Sequence, residues 1–307
     1  MDANELLRSI TALPIQARSL AEEMLAGNFR SIFKGQGMEF DEERHYEPGD
    51  DIRSIDWNVS ARFGTPFVKT FKEERELTIL ILLDLSPSMF RGGFGRQGLS
   101  PYEQALVSTA LIAFSAERSG QQTGAFFFDK GVSKVFPPRK GRHHVMALIM
   151  AALQYQNEAA RLYSSKPDKR GSNIASALAG AQRLLKKRAL VVLISDFFSA
   201  NWEEEMGSLC RKHDLIALRI CEPAVLPYPG LVTLEDAETG VRIEAPAGLA
   251  SFRESWTQWH KERSALWASQ CRRNGAAFLE LPTTSDAGVI LLKFFGRRIL
   301  SGRRERG

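Results

Sequence analysis

Cysteine is scarce in this 307-residue chain, which contains only Cys210, Cys221 and Cys271. The three are odd in number, widely spaced and set in predicted helix or strand positions, which excludes a disulfide framework and a zinc site. Reduced thiols, buried or half-buried, are the expectation. Long apolar runs are missing too, so no segment is predicted to span a membrane. Residues 1–10 carry acidic side chains where a secretory signal would have a basic start. A soluble, intracellular, cytoplasmic protein is expected.

Neither a Gly-x-Ser-x-Gly elbow nor a phosphate-cradling glycine loop with lysine occurs. Strong charge of one sign is lacking as well. The formal net charge is +5, and part of it comes from Arg297, Arg298, Arg303, Arg304 and Arg306. That tail reads as a solvated or frayed terminus, and without interleaved aromatics a nucleic-acid surface is the lesser reading. Of five histidines, only His143 and His144 adjoin, beside the basic loop 137–142. Neighbours on a helix point to different sides, so they do not share a metal.

The 44% apolar and 25% charged content is ordinary for a globular chain with ample length for one large core. From residue 77 onward, short apolar strands alternate with longer helical segments, the signature of an α/β fold whose mostly parallel, doubly wound sheet is covered on both faces. Strands are predicted at 77–83, 122–128, 189–194, 215–220 and 276–281. An antiparallel edge strand is expected at 132–136, stopped by Pro137 and Pro138.

Ser100, Pro101 and Glu103 form a capping-box start for a helix that runs to Gly120. Further helices are expected at 142–156 and 173–187 with a surface loop, 161–170, between them. Another capping box, Asn201 with Glu204, should open a helix ending at Lys212, and a final helix should start near Asp286. Between strands five and six, a hairpin at 231–243 around Glu238-Thr239-Gly240 precedes a long helix. On that helix Phe252, Trp256, Trp259 and Leu266 share one face, read as core packing. A strand order of 3-2-1-4-5-6 makes the first and fourth strands neighbours, with ligands bound beyond their carboxyl ends.

At that edge lie the chemistry-bearing residues. Asp84-Leu85-Ser86-Pro87-Ser88 follows the first strand, Gly171-Ser172-Asn173 opens a helix, and Asp196 follows the fourth strand. Such a turn also occurs in ordinary loops, where its side chains satisfy their own backbone. Its placement here favours a hard cation. Magnesium, with manganese or calcium as substitutes, takes oxygen ligands and is usually held by one or two carboxylates plus other groups. Asp84 and Asp196 would supply charge, and the hydroxyls of Ser86, Ser88 and Ser172 coordination without charge. The ion then keeps an appetite for a carboxylate from outside, which makes the site a docking point.

The region ahead of the first strand differs in kind. Residues 35–71 are rich in Gly, Asp, Arg and aromatics, with strand-like pieces at 38–46 and 67–71 about the turn Glu47-Pro48-Gly49-Asp50-Asp51, and an amphipathic helix is predicted at 3–25. The dense charges could be a catalytic cluster or an internal salt-bridge and turn network, and the network is favoured. The expected layout is an N-terminal helix at 1–30, a β-rich leader at 31–75, the large domain at 76–300 with an insertion at about 223–274, and a basic tail at 301–307.

The strings Gly35-Gln36-Gly37-Met38-Glu39-Phe40, Arg44-His45-Tyr46-Glu47-Pro48-Gly49-Asp50-Asp51-Ile52-Arg53-Ser54-Ile55-Asp56-Trp57 and Ser60-Ala61-Arg62 resemble the bacterial family known as domain of unknown function fifty-eight. The resemblance covers about nine tenths of the chain. It implies that this leader joins a von Willebrand factor type A domain, whose metal-ion-dependent adhesion site (MIDAS) combines an Asp-x-Ser-x-Ser turn, a hydroxyl on a second loop and an aspartate on a third. Asp84, Ser86, Ser88, Ser172 and Asp196 match those roles, Ser172 standing where threonine is usual.

The resemblance also implies association with MoxR-type AAA+ ATPases in protein remodelling or assembly. Many relatives carry membrane helices ahead of the leader, so any membrane role of this chain is expected to run through a partner. The favoured reading is a non-enzymatic, metal-dependent protein-binding module. Two alternatives stand beside it. One is a magnesium-dependent phosphohydrolase with Asp84 as nucleophile, although Ser86 occupies the position where such enzymes need a second carboxylate. The other is nucleic-acid binding through the loop 139–142 and the arginine tail.

Overall fold

The computed structural model describes residues 39–48, 50–72, 77–90, 99–165, 171–223, 230–235 and 241–304. The predicted helix at 3–25, the loop residues 166–170, the turn at Glu238 and Arg306 lie outside them. The chain divides into two compact units, Phe29–Glu76 and the part from Leu77 onward.

In the smaller unit, β1 (Glu39–His45) pairs antiparallel with β2 (Phe67–Lys72), His45 opposite Phe67, with a bulge between Phe40 and Glu42. A helix, α1 (Trp57–Phe63), sits between them in sequence. Asp56 caps it, Oδ1 accepting from the Asn58 and Val59 N–H groups at 2.9 and 3.3 Å. Gly64 closes it in the left-handed conformation, φ +72°. Ser60 ties helix to strand, its Oγ accepting from Phe67 N at 2.8 Å while donating to the Asp56 carbonyl at 2.6 Å. Arg44 reaches Asp50 at 2.6 Å, and Asp50 accepts from Glu47 N, so the charges of the turn pair with one another. The Arg44 guanidinium holds the Asp50 carboxyl below its usual range. These charges build turns and caps, as the sequence pattern implies.

In the larger unit, β3 (Thr78–Asp84), β4 (Gln122–Phe128), β5 (Val132–Arg139), β6 (Leu190–Ser195), β7 (Asp214–Cys221) and β10 (Ala277–Pro282) form one sheet ordered β10-β7-β6-β3-β4-β5. All neighbours are parallel except β4 and β5. This is the 3-2-1-4-5-6 order of a doubly wound sheet. β3 and β6 are adjacent, with Leu83 opposite Ile194, so both chain reversals that carry aspartates leave the same edge. The strands read as continuous apolar runs because helices cover both faces.

On one face lies α3 (Pro101–Arg118), buried from Pro101 to Ala116, with its Ser100–Glu103 capping box formed in both directions. α4 (Arg142–Ser165) packs against it, and Tyr102 donates to the Ala152 carbonyl at 2.8 Å. On the other face α5 (Ile174–Leu184), α6 (Glu203–Cys210) and α7 (Ala250–Arg273) bury Ile174, Leu178, Met206, Leu209, Trp267 and Cys271 against Leu80, Leu82, Val191 and Leu193. A separate antiparallel pair, β8 (Leu231–Glu235) and β9 (Arg242–Pro246), precedes α7, and α8 (Ala287–Arg304) follows β10.

Five sequence expectations are corrected. β5 does not stop at the prolines but continues to Arg139, because an edge strand can leave ladder positions unused and a register shift opposite Gly124 accommodates them. α4 runs on to Ser165, past the start of the loop expected at 161–170. Asn201 does not cap α6. It sits at φ +59°, and Trp202 precedes the helix without a side-chain cap.

The aromatic stripe of α7 is not core. Trp259 is 45% and Leu266 60% exposed, Phe252 and Trp256 are half-buried, and the residues α7 does bury are Trp267 and Cys271 on the adjacent face. α8 extends through Arg304, so four of the tail arginines are helical and not frayed.

Gly124 shows how tightly the edge is built. A Cβ there would meet the Phe136 carbonyl oxygen at 2.7 Å and Pro138 N at 2.9 Å, both backbone atoms. Gly124→Val is expected to push β5 off β4 and lower the unfolding free energy by roughly 1–3 kcal/mol, as overpacking does. Urea unfolding checks this, and a change below about 0.5 kcal/mol would mean that the edge gives way freely.

Candidate metal centre

β3 ends in Asp84, which is fully buried. The chain then turns because the Asp84 side chain caps its own loop, Oδ1 accepting from Ser86 N at 2.8 Å. That turn points Ser86 toward Ser88, their hydroxyls 3.0 Å apart, with Ser88 on the short helix α2 (Pro87–Phe90). From the second loop, the Ser172 hydroxyl donates to Asp84 Oδ2 at 2.9 Å. Ser172 is delivered by the start of α5, where Asn173 Oδ1 accepts from Ser176 N. From the third loop, Asp196 accepts a hydrogen bond from the Ser88 side chain and another from Phe198 N at 3.0 Å. All five residues singled out in the sequence therefore lie in one connected network at the carboxyl edge of β3 and β6.

The network holds two buried carboxylates. Burial, and next the charge of Asp196, push the Asp84 carboxyl up to about 7, against the opposing hydrogen bond of Ser195. Burial raises Asp196 too, while Ser88, Phe198 N, Arg263 and Arg219 pull the other way. Two desolvated carboxylates side by side are costly unless a cation compensates them. Among the described residues no three His, Cys, Asp or Glu side chains gather as a metal cluster. A cation here would thus rest on two carboxylates and hydroxyls, a hard-oxygen donor set suited to magnesium. The residues fit the ion.

Three contributors escaped the sequence reading. Ser195, buried at the end of β6, donates to Asp84 Oδ2 at 2.6 Å and accepts from Phe197 N at 2.9 Å, joining the first and third loops. A hydroxyl closing an otherwise apolar strand was the available signal. Phe197 sits at φ +57°, strained for a large side chain. It is braced by Trp202 and Trp267, with ring centroids at 5.5 and 5.3 Å. Arg263 of α7 donates to the Phe197 carbonyl at 3.0 Å and lies 3.5 Å over the Phe198 ring. Nothing in sequence spacing links it to the site.

The three cysteines carry no disulfide. Burial raises their thiols, Cys210 and Cys221 to about 11 and Cys271 to about 12. None is a thiolate at neutral pH. His143 is exposed and His144 bonds the Thr123 carbonyl through Nε2, so the two rings are turned to different surroundings. No helix among the described residues is long and apolar enough to cross a membrane.

Comparison with known proteins gives a match of residues 42–265 to the family described as "Protein of unknown function DUF58". The uncharacterized protein Rv1480 of Mycobacterium tuberculosis is 28% identical over 301 residues, 97% of this chain and 91% of that one. The uncharacterized protein MAV169 of Mycobacterium avium is 30% identical over 173 residues, 54% of this chain and 97% of that one. The crystal structure of the SpRpn10 VWA domain aligns with 72% of this chain and 94% of its own at 12% identity and a TM-score of 0.37.

Proposed function

The chain belongs to the DUF58 family, and on that premise we propose that it is a non-enzymatic, divalent-metal-dependent protein-binding module. Asp84, Ser86, Ser88, Ser172 and Asp196 would hold the ion, and an acidic side chain from a protein partner would complete its shell. When bound, magnesium would supply a hard Lewis-acidic centre able to take a carboxylate oxygen from outside. The observation that carries the reading is the joining of five side-chain oxygen donors from three loops, two of them buried carboxylates, at one sheet edge. Ser195 fixes Asp84, and Phe198 N orients Asp196. Partnership with a MoxR-type AAA+ ATPase, in remodelling or assembling other proteins, forms part of the proposal through the family resemblance.

The test uses immobilised synthetic peptides carrying a single aspartate, with magnesium or with chelator. The intact protein is expected to be retained only with magnesium, and Asp84→Ala to lose retention while its circular dichroism is unchanged. Equal retention in chelator, or by the variant, would contradict the reading.

A further inference from the structure

Beside the candidate metal centre stands an arginine that makes no direct ion pair among the described residues, although the charge of Asp196 acts on it. Arg263 projects from α7, half-buried, and spends one donor on the Phe197 carbonyl. Its guanidinium is stacked at 3.5 Å on Phe198, which is 49% exposed, and lies 5.4 Å from the ring of Trp259. Phe198 N is the group that orients Asp196. The arginine is thus fixed to the residue next to a proposed ion ligand, beside the site.

Its neighbour Arg219 is matched by Glu280 at 2.8 Å, and Glu280 in turn accepts from Ser264 at 2.6 Å. Arg263 makes no such ion pair among the described residues. Burial and the nearby Arg219 lower its pKa to about 10, so it stays charged at neutral pH. A desolvated guanidinium with free donors on a rigid aromatic bed is arranged for two-pronged capture of a carboxylate.

We propose that Arg263 is the specificity-determining residue of this docking site: it receives a second carboxylate of the partner, beside the one that completes the ion's shell, so the preferred partner presents a pair of acidic residues. The inference rests on the proposed function and deepens it from an acidic side chain to an acidic pair. The supporting argument is charge complementarity. Asp196 faces Arg263 electrostatically in the metal-free protein; with the ion bound, Asp84 and Asp196 offset it and Glu280 offsets Arg219, so the Arg263 charge is then met from outside. Phe198 and Trp259 flank it with exposed aromatic surface that excludes water from the contact once a partner is seated, and a desolvated charge pair is stronger than an exposed one.

A peptide array settles the matter. Dodecamers carrying one aspartate, or two separated by zero to four residues, are titrated in magnesium against the full chain and against Arg263→Gln. The intact protein is expected to bind the best two-aspartate peptide about tenfold or more tighter than the one-aspartate peptide. Arg263→Gln should bind both about equally, losing far more affinity for the two-aspartate peptide than for the one-aspartate peptide. Arg263→Lys, which keeps the charge but not the fork, should also narrow the preference and stands in if the glutamine variant does not fold.

A merely structural clamp on the Phe197 loop would weaken both peptides alike, and that result overturns the inference. So does a preference that survives in both variants, or none in the intact protein. If the intact protein shows no magnesium-dependent binding of either peptide and no thermal shift, the proposed function itself fails and takes this inference with it.

Discussion

Replacing Asp84 by asparagine is expected to make the metal-free protein more stable and to remove its response to magnesium. Asp84 is fully buried, and burial together with the Asp196 charge lifts its carboxyl to about 7 in the folded chain. In the unfolded chain it titrates near 3.9. Between those values the folded state holds a proton that the unfolded state has released, so the stability of the metal-free protein falls as pH rises from about 4 to about 7. Above that window the folded state carries the full penalty, on the order of 2–4 kcal/mol.

Asparagine removes the charge yet keeps an oxygen for Ser86 N and polar contacts for Ser172 and Ser195. At pH 8 in chelator, Asp84→Asn should therefore melt several degrees above the unaltered protein, and its stability should lose most of the slope between pH 4 and 7. Magnesium should raise the melting temperature of the unaltered protein by linkage and leave the variant unmoved. Thermal unfolding across pH, with and without the ion, measures both. A variant that melts lower in chelator would show that Asp84 serves as a structural cap, unburdened by its charge.

The second large effect is expected at Trp267. Its side chain is almost fully buried in the core below the Asp196 loop, against Phe197 and Phe278 at centroid distances of 5.3 and 5.6 Å and under the Arg219 guanidinium at 5.5 Å. Trp267→Ala opens a cavity and should cost roughly 3–5 kcal/mol, a fall on the order of 10 °C in melting temperature for a domain of this size. The strained Phe197 loses one wall of its seat, so the loop that presents Asp196 should relax and magnesium stabilisation should shrink as well.

Trp267→Phe should cost less than half as much. It keeps an aromatic ring and discards an indole N–H that is buried without a partner. Urea unfolding of the two variants separates these outcomes, and an alanine variant within about 1 kcal/mol of the original would contradict the packing described.

Much of this was legible in the residues because the relevant signals are local. Apolar runs bounded by turns mark β3, β4, β6, β7 and β10, and the Ser100–Glu103 box marks the start of α3. The strand order is that of the doubly wound pattern, which sets the strands preceding Asp84 and Asp196 side by side. What escaped depends on contacts distant in sequence. Pro137 and Pro138 argue against a strand unless one knows that β5 is an edge and that Gly124 opposite has no Cβ to clash. The stripe from Phe252 to Leu266 has the right period for a core face. The helix nevertheless turns Trp267 and Cys271 inward, because the groove beside β7 and β10 receives that side.

Ser195 reaches Asp84 across 111 positions and Arg263 reaches Phe197 across 66. The five oxygen donors could be gathered from the sequence since each closes a strand or opens a helix at the same sheet edge. Ser195, which orients Asp84 from the end of β6, could not.

The central claim is that these five side chains hold one divalent ion. Manganese titrated into the protein and followed by electron paramagnetic resonance reports it directly, because bound ions lose the sharp six-line signal of the free ion. One ion per chain should bind, magnesium should displace it, and Asp84→Asn should leave the free signal undiminished. Absence of binding by the intact protein, or equal binding by the variant, would contradict the account.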